Sequence, residues 1–379
     1  MSARFTFIGK LEANTDSEAK NYFLREGKTS KGDAPYMSLN LQVAQEKNNR
    51  AFVELFGMVS KSVKTMDNDF NKIEIAWDDR FDEDSVKEVA NFKKTIVKIG
   101  DEKKEFIAAY DAVKYIADNI DELKDQTVIV SGQRKKNVYN NKISDRFEFN
   151  LIRVVDDEDT VKRLTVNTEF LFNKDSFDTA DWNTEHKLYI NGWTEEYMSD
   201  VKENRYVEQQ IVFDCGKINW DNEDHVKKVK FRLKMLGCDL DSNNKIVVKL
   251  KAKKLYQMGI VATFMNGQEK VDFDESMLTE TQKEALELGL KKLDDFRPSG
   301  NIYGERVVVY KLKDFDLRAE GKYVDGCIDS EITQDEFDEK LYTIENASFG
   351  DIGSDDDELP FGDSKSKKED EDDEDDLFG

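Results

Sequence analysis

Cysteine, proline and histidine are all scarce. The chain has 379 residues, of which 3 are cysteine, 3 proline and 2 histidine. Cys215, Cys238 and Cys327 are far apart and odd in number, which fits a reducing compartment and no disulfide framework. With only His186 and His225, and no Cys-x-x-Cys, no zinc site is expected. No apolar run approaches the ~18 residues of a membrane span. The N-terminus lacks the apolar stretch of a signal peptide, so a cytoplasmic protein is expected. Gly-x-Gly-x-x-Gly, phosphate-loop, His-Glu-x-x-His and Gly-x-Ser-x-Gly motifs are all missing, so neither catalysis nor a cofactor is expected. Acidic pairs are everywhere among the 81 Asp and Glu, so they point to no particular acid–base or carboxylate–metal site.

The hydrophobic fraction of 38% and aromatic fraction of 11% suffice for real cores, and the length allows two or three domains. The formal net charge of −24 argues at first against nucleic acid, because polyanions repel. Its distribution alters that. Residues 351–379 hold 14 acidic and 3 basic residues, so nearly half the excess sits in a short low-complexity tail.

The body reads as mainly β with inserted helices. Strands are expected at 5–11, 38–44 and 50–57, the last two alternating with period two. An insertion follows at 58–104, then a helix at about 105–124 and two strands within 127–155. Three strands, a helix, then two strands is the order of an OB-fold barrel. The acidic Asp156–Asp159 marks a boundary. Strands near 164–172, 187–193, 208–215, 226–237 and 245–256 suggest a second OB-like domain. A helix at 275–294, a strand at 306–312 and a short helix at 333–344 complete it. The expected organisation is one domain over 1–157, a second over 158–345, and a disordered acidic tail over 346–379.

Three patterns in the body carry chemistry. In Arg50-Ala51-Phe52-Val53-Glu54-Leu55-Phe56, the aliphatic residues form one face and leave Phe52 and Phe56 on the other beside Arg50. Exposed aromatics next to a cation suit base stacking, although an overlying segment could equally bury them as core. A second stretch, 126–154, has six basic residues against Asp145 and Glu148. Arg134, Lys135, Lys136, Lys142 and Arg146 are candidate phosphate contacts, or a solvated hairpin edge. A third, 227–254, has ten basic residues against two acidic. There Lys249, Lys251 and Lys253 would line one face of a strand, as a phosphate groove or an edge.

In the tail, Asp355, Asp356 and Asp357 run into Leu359-Pro360-Phe361, and Asp375 and Asp376 into Leu377-Phe378. Acidic runs followed by apolar anchors suit a basic-rimmed hydrophobic pocket on a partner. A solubilising tail would explain the acids but not the placement of the apolar residues.

Taken together, these residues resemble the single-stranded-DNA-binding protein family of bacteria and their phages. Ile8-Gly9-Lys10-Leu11, residues 38–44, Phe52 to Gly57 and Gly132-Gln133 to Tyr139 fall in family order. The resemblance implies stacking by Phe56 and Tyr139, with Phe52, Trp193 and Tyr256 as further stacking candidates. It also implies recruitment of replication or recombination proteins by the tail. Arg50 stands where the family often has tryptophan. The insertion, the second domain and Gly379 after Phe378 depart from the bacterial form, and the long acidic-tailed layout looks more like phage-encoded versions. A non-catalytic binder of single-stranded DNA is therefore expected, its oligomeric state open. The alternative is an acidic interaction protein or DNA mimic that binds host proteins and no DNA.

Overall fold

The computed structural model describes residues 3–29, 33–139, 142–157, 160–271, 273–298, 302–316, 323–324 and 327–344. The tail, and with it every residue named there as a partner anchor, lies outside the described residues.

The first half contains β1 (Arg4–Glu12), β2 (Leu24–Lys28), β3 (Pro35–Glu46) and β4 (Asn49–Met58). After these come β5 (Ser62–Met66), β6 (Lys72–Ala76), α1 (Glu83–Glu88), β7 (Thr95–Ile99) and β8 (Glu102–Phe106). Then follow α2 (Ala109–Asp118), α3 (Ile120–Leu123), β9 (Thr127–Tyr139) and β10 (Lys142–Val154). Five of the strands close on themselves in the order β1-β3-β4-β10-β9-β1. Every pairing is antiparallel except the closing one, where Glu54 of β4 lies beside Glu148 of β10 in parallel. Alternation drives the closure. Leu39, Leu41 and Val43 of β3 and Ala51, Val53 and Leu55 of β4 are all buried inside, where each adds apolar area removed from water. Buried Ala112, Val113 and Ile116 of α2 share one helical face and pack on the same core.

The second half has β11 (Arg163–Phe172), β12 (Phe177–Asp178), α4 (Trp182–Glu185), β13 (Lys187–Met198), β14 (Glu203–Asp214) and α5 (Glu223–Met235). It continues with β15 (Cys238–Leu240), β16 (Ile246–Val248), β17 (Tyr256–Val271), α6 (Glu280–Glu287), β18 (Ile302–Phe315), β19 (Tyr323–Val324), β20 (Cys327–Asp329) and α7 (Gln334–Lys340). Here the ring is β11-β13-β14-β18-β17-β11, again with a single parallel pair, Val212 beside Lys311. Each ring thus places a helix between its third and fourth strands and closes third to fifth in parallel.

The rings are joined through their first strands. Over Arg4–Ile8, β1 pairs antiparallel with Arg163–Asn167 of β11, and only its far end, from Lys10, pairs with β3. The hairpins are exchanged across this junction. The β3–β4 turn docks on β17, with Gly267 opposite Asn49 and Gln268 N–H donating to Asn48 O at 3.0 Å. A Cβ on Gly267 would overlap the Asn48 carbonyl, so the close approach requires glycine there. In return, Met198, Val201 and Val207 of the β13–β14 hairpin pack with Val138 and Ile143 of the β9–β10 hairpin.

Two expected strands are absent in the form anticipated. Residues 226–237 fall mostly in α5, because Val229 and Leu233 repeat at helical spacing and both are buried, while Asn222 caps the helix by accepting from the Asp224 and His225 amides. In 245–256, only Ile246–Val248 and the start of β17 are strand; buried Leu250 and Leu255 pull an irregular segment inward, with Lys253 at φ +59°. The helix expected from 105 begins only at Ala109, because β8 takes Glu102–Phe106 to pair with β7. The 58–104 insertion builds its own small core from Val63, Ile75 and Val89 with Ile107 and Ala108. Arg80 fastens it to α2 through a bidentate pair with Asp111 (2.8 and 3.4 Å) and lies over the Trp77 and Phe81 rings. Among the described residues, no helix is long and apolar enough to cross a membrane.

Buried Cys215 closes β14, where burial and then neighbouring Asp214 push its thiol up to about 12. Because the thiolate is the reactive form, Cys215 is expected to resist maleimide at neutral pH in the folded protein and to react once urea unfolds it, as read by peptide mass spectrometry.

Candidate nucleic-acid interface

The opposite parity of β3 and β4 faces outward. Phe52 is 50% exposed, Phe56 is half-buried, and the Tyr36 ring lies 5.7 Å from Phe56 at 33°. Cross-strand register sets Gln42 opposite Phe52 and Ser38 opposite Phe56. Beside Phe52 is a cleft lined by Asn40, Glu54, Ser144 and Arg146. The overlying segment that could have buried Phe52 does not cover it.

The cations expected to contact phosphate divide into three groups. Arg134 and Lys136 are corrections. Their side of the strand faces the second ring, not solvent: Arg134 is buried at the junction and the Lys136 side chain is only 7% exposed. Arg134 pairs with Glu196 of β13 and donates to Thr194 (3.2 Å) and Gln209 (3.1 Å). Lys136 lies 2.9 Å from Asp145 and donates to Gln209 at 2.8 Å. Tyr310 of β18 donates to the other Asp145 oxygen at 2.7 Å. Burial opposes charge on Asp145, but Lys136 and Arg134 outweigh it and hold its carboxyl below the usual range. Burial raises the Tyr310 hydroxyl well above its ordinary value, so it stays a donor. The cluster consumes its own charges and leaves none for a ligand.

In the second group, carboxylates already engage the cations. Arg146 pairs with Glu54 and Glu148, Lys135 with Glu148, and Arg50 with Glu12 at 3.3 Å. Lys135 and Arg50 remain about half exposed, and surface pairs are worth only ~0–1 kcal/mol, so a phosphate can displace the carboxylate at little cost. The third group, Lys142, Lys249, Lys251 and Lys253, is exposed. The last three sit on the irregular segment and do not share a strand face, which corrects the expected lysine stripe.

Two stacking candidates are also corrected. Tyr256 is buried and packs near Phe172, its hydroxyl accepting from the Lys251 amide at 3.1 Å. Trp193 is partly buried under α7, edge-on to Phe337 at 4.8 Å, while Phe337 stacks on Tyr206 at 5.3 Å. The Tyr139 side chain lies outside the described residues.

No family profile matches the chain, and no curated protein does. Among solved structures, it is similar to the single-stranded DNA binding protein from Thermus aquaticus, at 9% identity over 70% of this chain and 85% of that one, with a TM-score of 0.28. A likeness of that size carries no argument. The strands and side chains above carry the reading that follows.

Sequence reasoning missed Tyr36, which was within reach, since it has the parity of Gln42 and Asn40 and the opposite parity to Leu39 and Leu41.

Proposed function

We propose that this protein is a non-catalytic, largely sequence-tolerant binder of single-stranded DNA, built on two OB-type rings. The ring order, the helix between third and fourth strands and the parallel third-to-fifth closure support the OB assignment for both halves. The observation that carries the function is the outward aromatic row of Phe52, Phe56 and Tyr36 beside the Arg146 cleft. Each stacked base contributes ~1–3 kcal/mol whatever its identity. Lys142, Lys249, Lys251 and Lys253, with Lys135 and Arg50 after exchange from their carboxylates, would track the backbone. The second ring acts chiefly as a built-in partner, because α7 covers Trp193 and the buried cluster spends Arg134 and Lys136 on the junction. Two joined rings would stand in for self-association.

The acidic tail would recruit replication or recombination proteins in the cytoplasm through Leu359-Pro360-Phe361 and Leu377-Phe378. A tethered −11 segment also has a high effective concentration beside the cations and would compete with DNA. Ending the chain at residue 345 is expected to tighten oligo-dT binding at low salt, measured by fluorescence anisotropy. Unchanged low-salt affinity would sink the competition.

The function itself is tested by titrating labelled oligo-dT and duplex DNA at two salt concentrations, with and without magnesium. Tight, salt-sensitive, single-strand-selective binding without cleavage is the expected result. Absence of binding even by the shortened chain overturns the proposal in favour of an acidic protein-binding role. Magnesium-dependent cleavage would instead mark an enzyme.

A further inference from the structure

The β5–β6 hairpin ends in a turn organised by Asp67, whose carboxylate accepts from the Asp69 amide (2.9 Å), the Asn71 amide (2.8 Å) and the Asn71 side chain (2.9 Å). This turn holds Phe70 at φ +66°, the left-handed region that asparagine or glycine adopts readily and a bulky aromatic residue rarely does. Burial does not compensate, because Phe70 is 71% exposed. The ring instead stacks on Phe92, which is 46% exposed, with centroids 5.5 Å apart and 27° between planes. Lys93 Nζ stands 5.7 Å from the Phe92 ring centre.

The pair is held in place. Asp67 bridges to Val89, and the Ala90 amide donates to Met66 O at 2.9 Å, so the hairpin and the Phe92 segment are tied together. The Asn150 side chain of β10 lies 3.4 Å from both the Phe92 and Lys94 carbonyls. β10 pairs in parallel with β4 at Glu148–Glu54 and, past an irregularity at Phe149/Leu151, in parallel with β7 from Leu151, so Asn150 lies on the stretch of β10 between its contact with the strand that bears Phe52 and Phe56 and its contact with the insertion.

We propose that Phe70 and Phe92, with Lys93, form a second base-stacking station that extends the DNA path from the first ring onto the 58–104 insertion. This rests on the single-strand binding proposed above. A strained, solvent-facing aromatic residue that gains nothing by burial is the pattern expected where strain is retained for a ligand. Stacked rings beside a cation fit an unpaired base and its phosphate.

The test uses the full chain with Phe70→Asn and Phe92→Ala, singly and together, against oligo-dT of about 6 and about 16 nucleotides, spanning the usual range of site sizes. The double variant is expected to bind the long oligonucleotide about tenfold or more weakly and the short one as wild type does. F70N is expected to raise the melting temperature, since asparagine tolerates the left-handed turn. Bromodeoxyuridine crosslinking should label the peptide containing Phe92 in wild type. Unchanged long-oligonucleotide affinity in the double variant, while Phe52→Ala still weakens binding, would overturn the second station and leave the proposed function standing. Equal losses at both lengths would also overturn it, and absence of any wild-type binding would overturn both.

Discussion

Replacing Glu196 with alanine is expected to destabilise the protein by about 3–5 kcal/mol, the usual cost of leaving a buried charge without its partner. Arg134 and Glu196 have essentially no exposed side-chain surface, so no water takes the place of the lost carboxylate. Thr194 and Gln209 stay as acceptors for the guanidinium but carry no charge, and Asp145, the carboxylate still beside it, is farther off at 3.8 Å and already held by Lys136 at 2.9 Å. Glu196→Gln keeps an acceptor and should cost less. Replacing Arg134 and Glu196 together by methionine and leucine should cost least, because then no orphaned charge remains. Urea unfolding reads the order E196A, E196Q, double variant as falling midpoint losses. Since the pair spans the two rings, E196A should also split one transition into two. If Arg134 were instead a phosphate contact, E196A would leave stability unchanged, which is the outcome that refutes the junction assignment. The same cluster sets an acid limit. Asp145 has a lowered carboxyl, so its contribution is complete above the ordinary carboxylate range, ~4, and is lost as pH falls through its folded value.

The double variant Phe52→Ala, Phe56→Ala is expected to lose about 1–3 kcal/mol of oligo-dT binding for each ring removed, about fivefold to more than a hundredfold apiece. Phe52 is half exposed and Phe56 is only half-buried, on the face of β4 away from Ala51, Val53 and Leu55, so the fold should survive, which the urea midpoint checks. The slope of log affinity against log salt should not change, because rings release no counterions; Lys135→Ala should do the reverse, with a small loss of affinity and a shallower slope. Full affinity in the double variant would remove the aromatic row from the interface.

Much of the first ring was legible because a half-buried strand writes its two faces as alternation. Leu39, Leu41 and Val43 against Tyr36, Asn40 and Gln42 is such a record, and Phe52 and Phe56 follow from the same parity. The 226–237 segment was misread because it fits both periods: Val229, Phe231, Leu233 and Met235 alternate with Lys230, Arg232 and Lys234 as a strand would, while Val226, Val229 and Leu233 stand at helical spacing, and packing against the second ring's core chose the helix. Charge was the least legible signal. Arg134, Lys135 and Lys136 are consecutive and chemically alike, yet the first and third face a neighbouring ring and the second faces water. Alternation says that they part company but not which face meets protein.

The sequence alone determined the strands of the first ring, the outward parity of Phe52 and Phe56 and the concentration of acid at the C-terminal end, because these follow from local periodicity and composition. Tertiary structure decided which rows stay open. The pairing of β1 with β11 and the exchange of hairpins bury Arg134 and Lys136, α7 covers Trp193, and Asn150 of β10 ties down the Phe92 segment of the insertion. Those contacts join residues tens to hundreds of positions apart, and such pairings depend on ring closure and packing that no local pattern encodes.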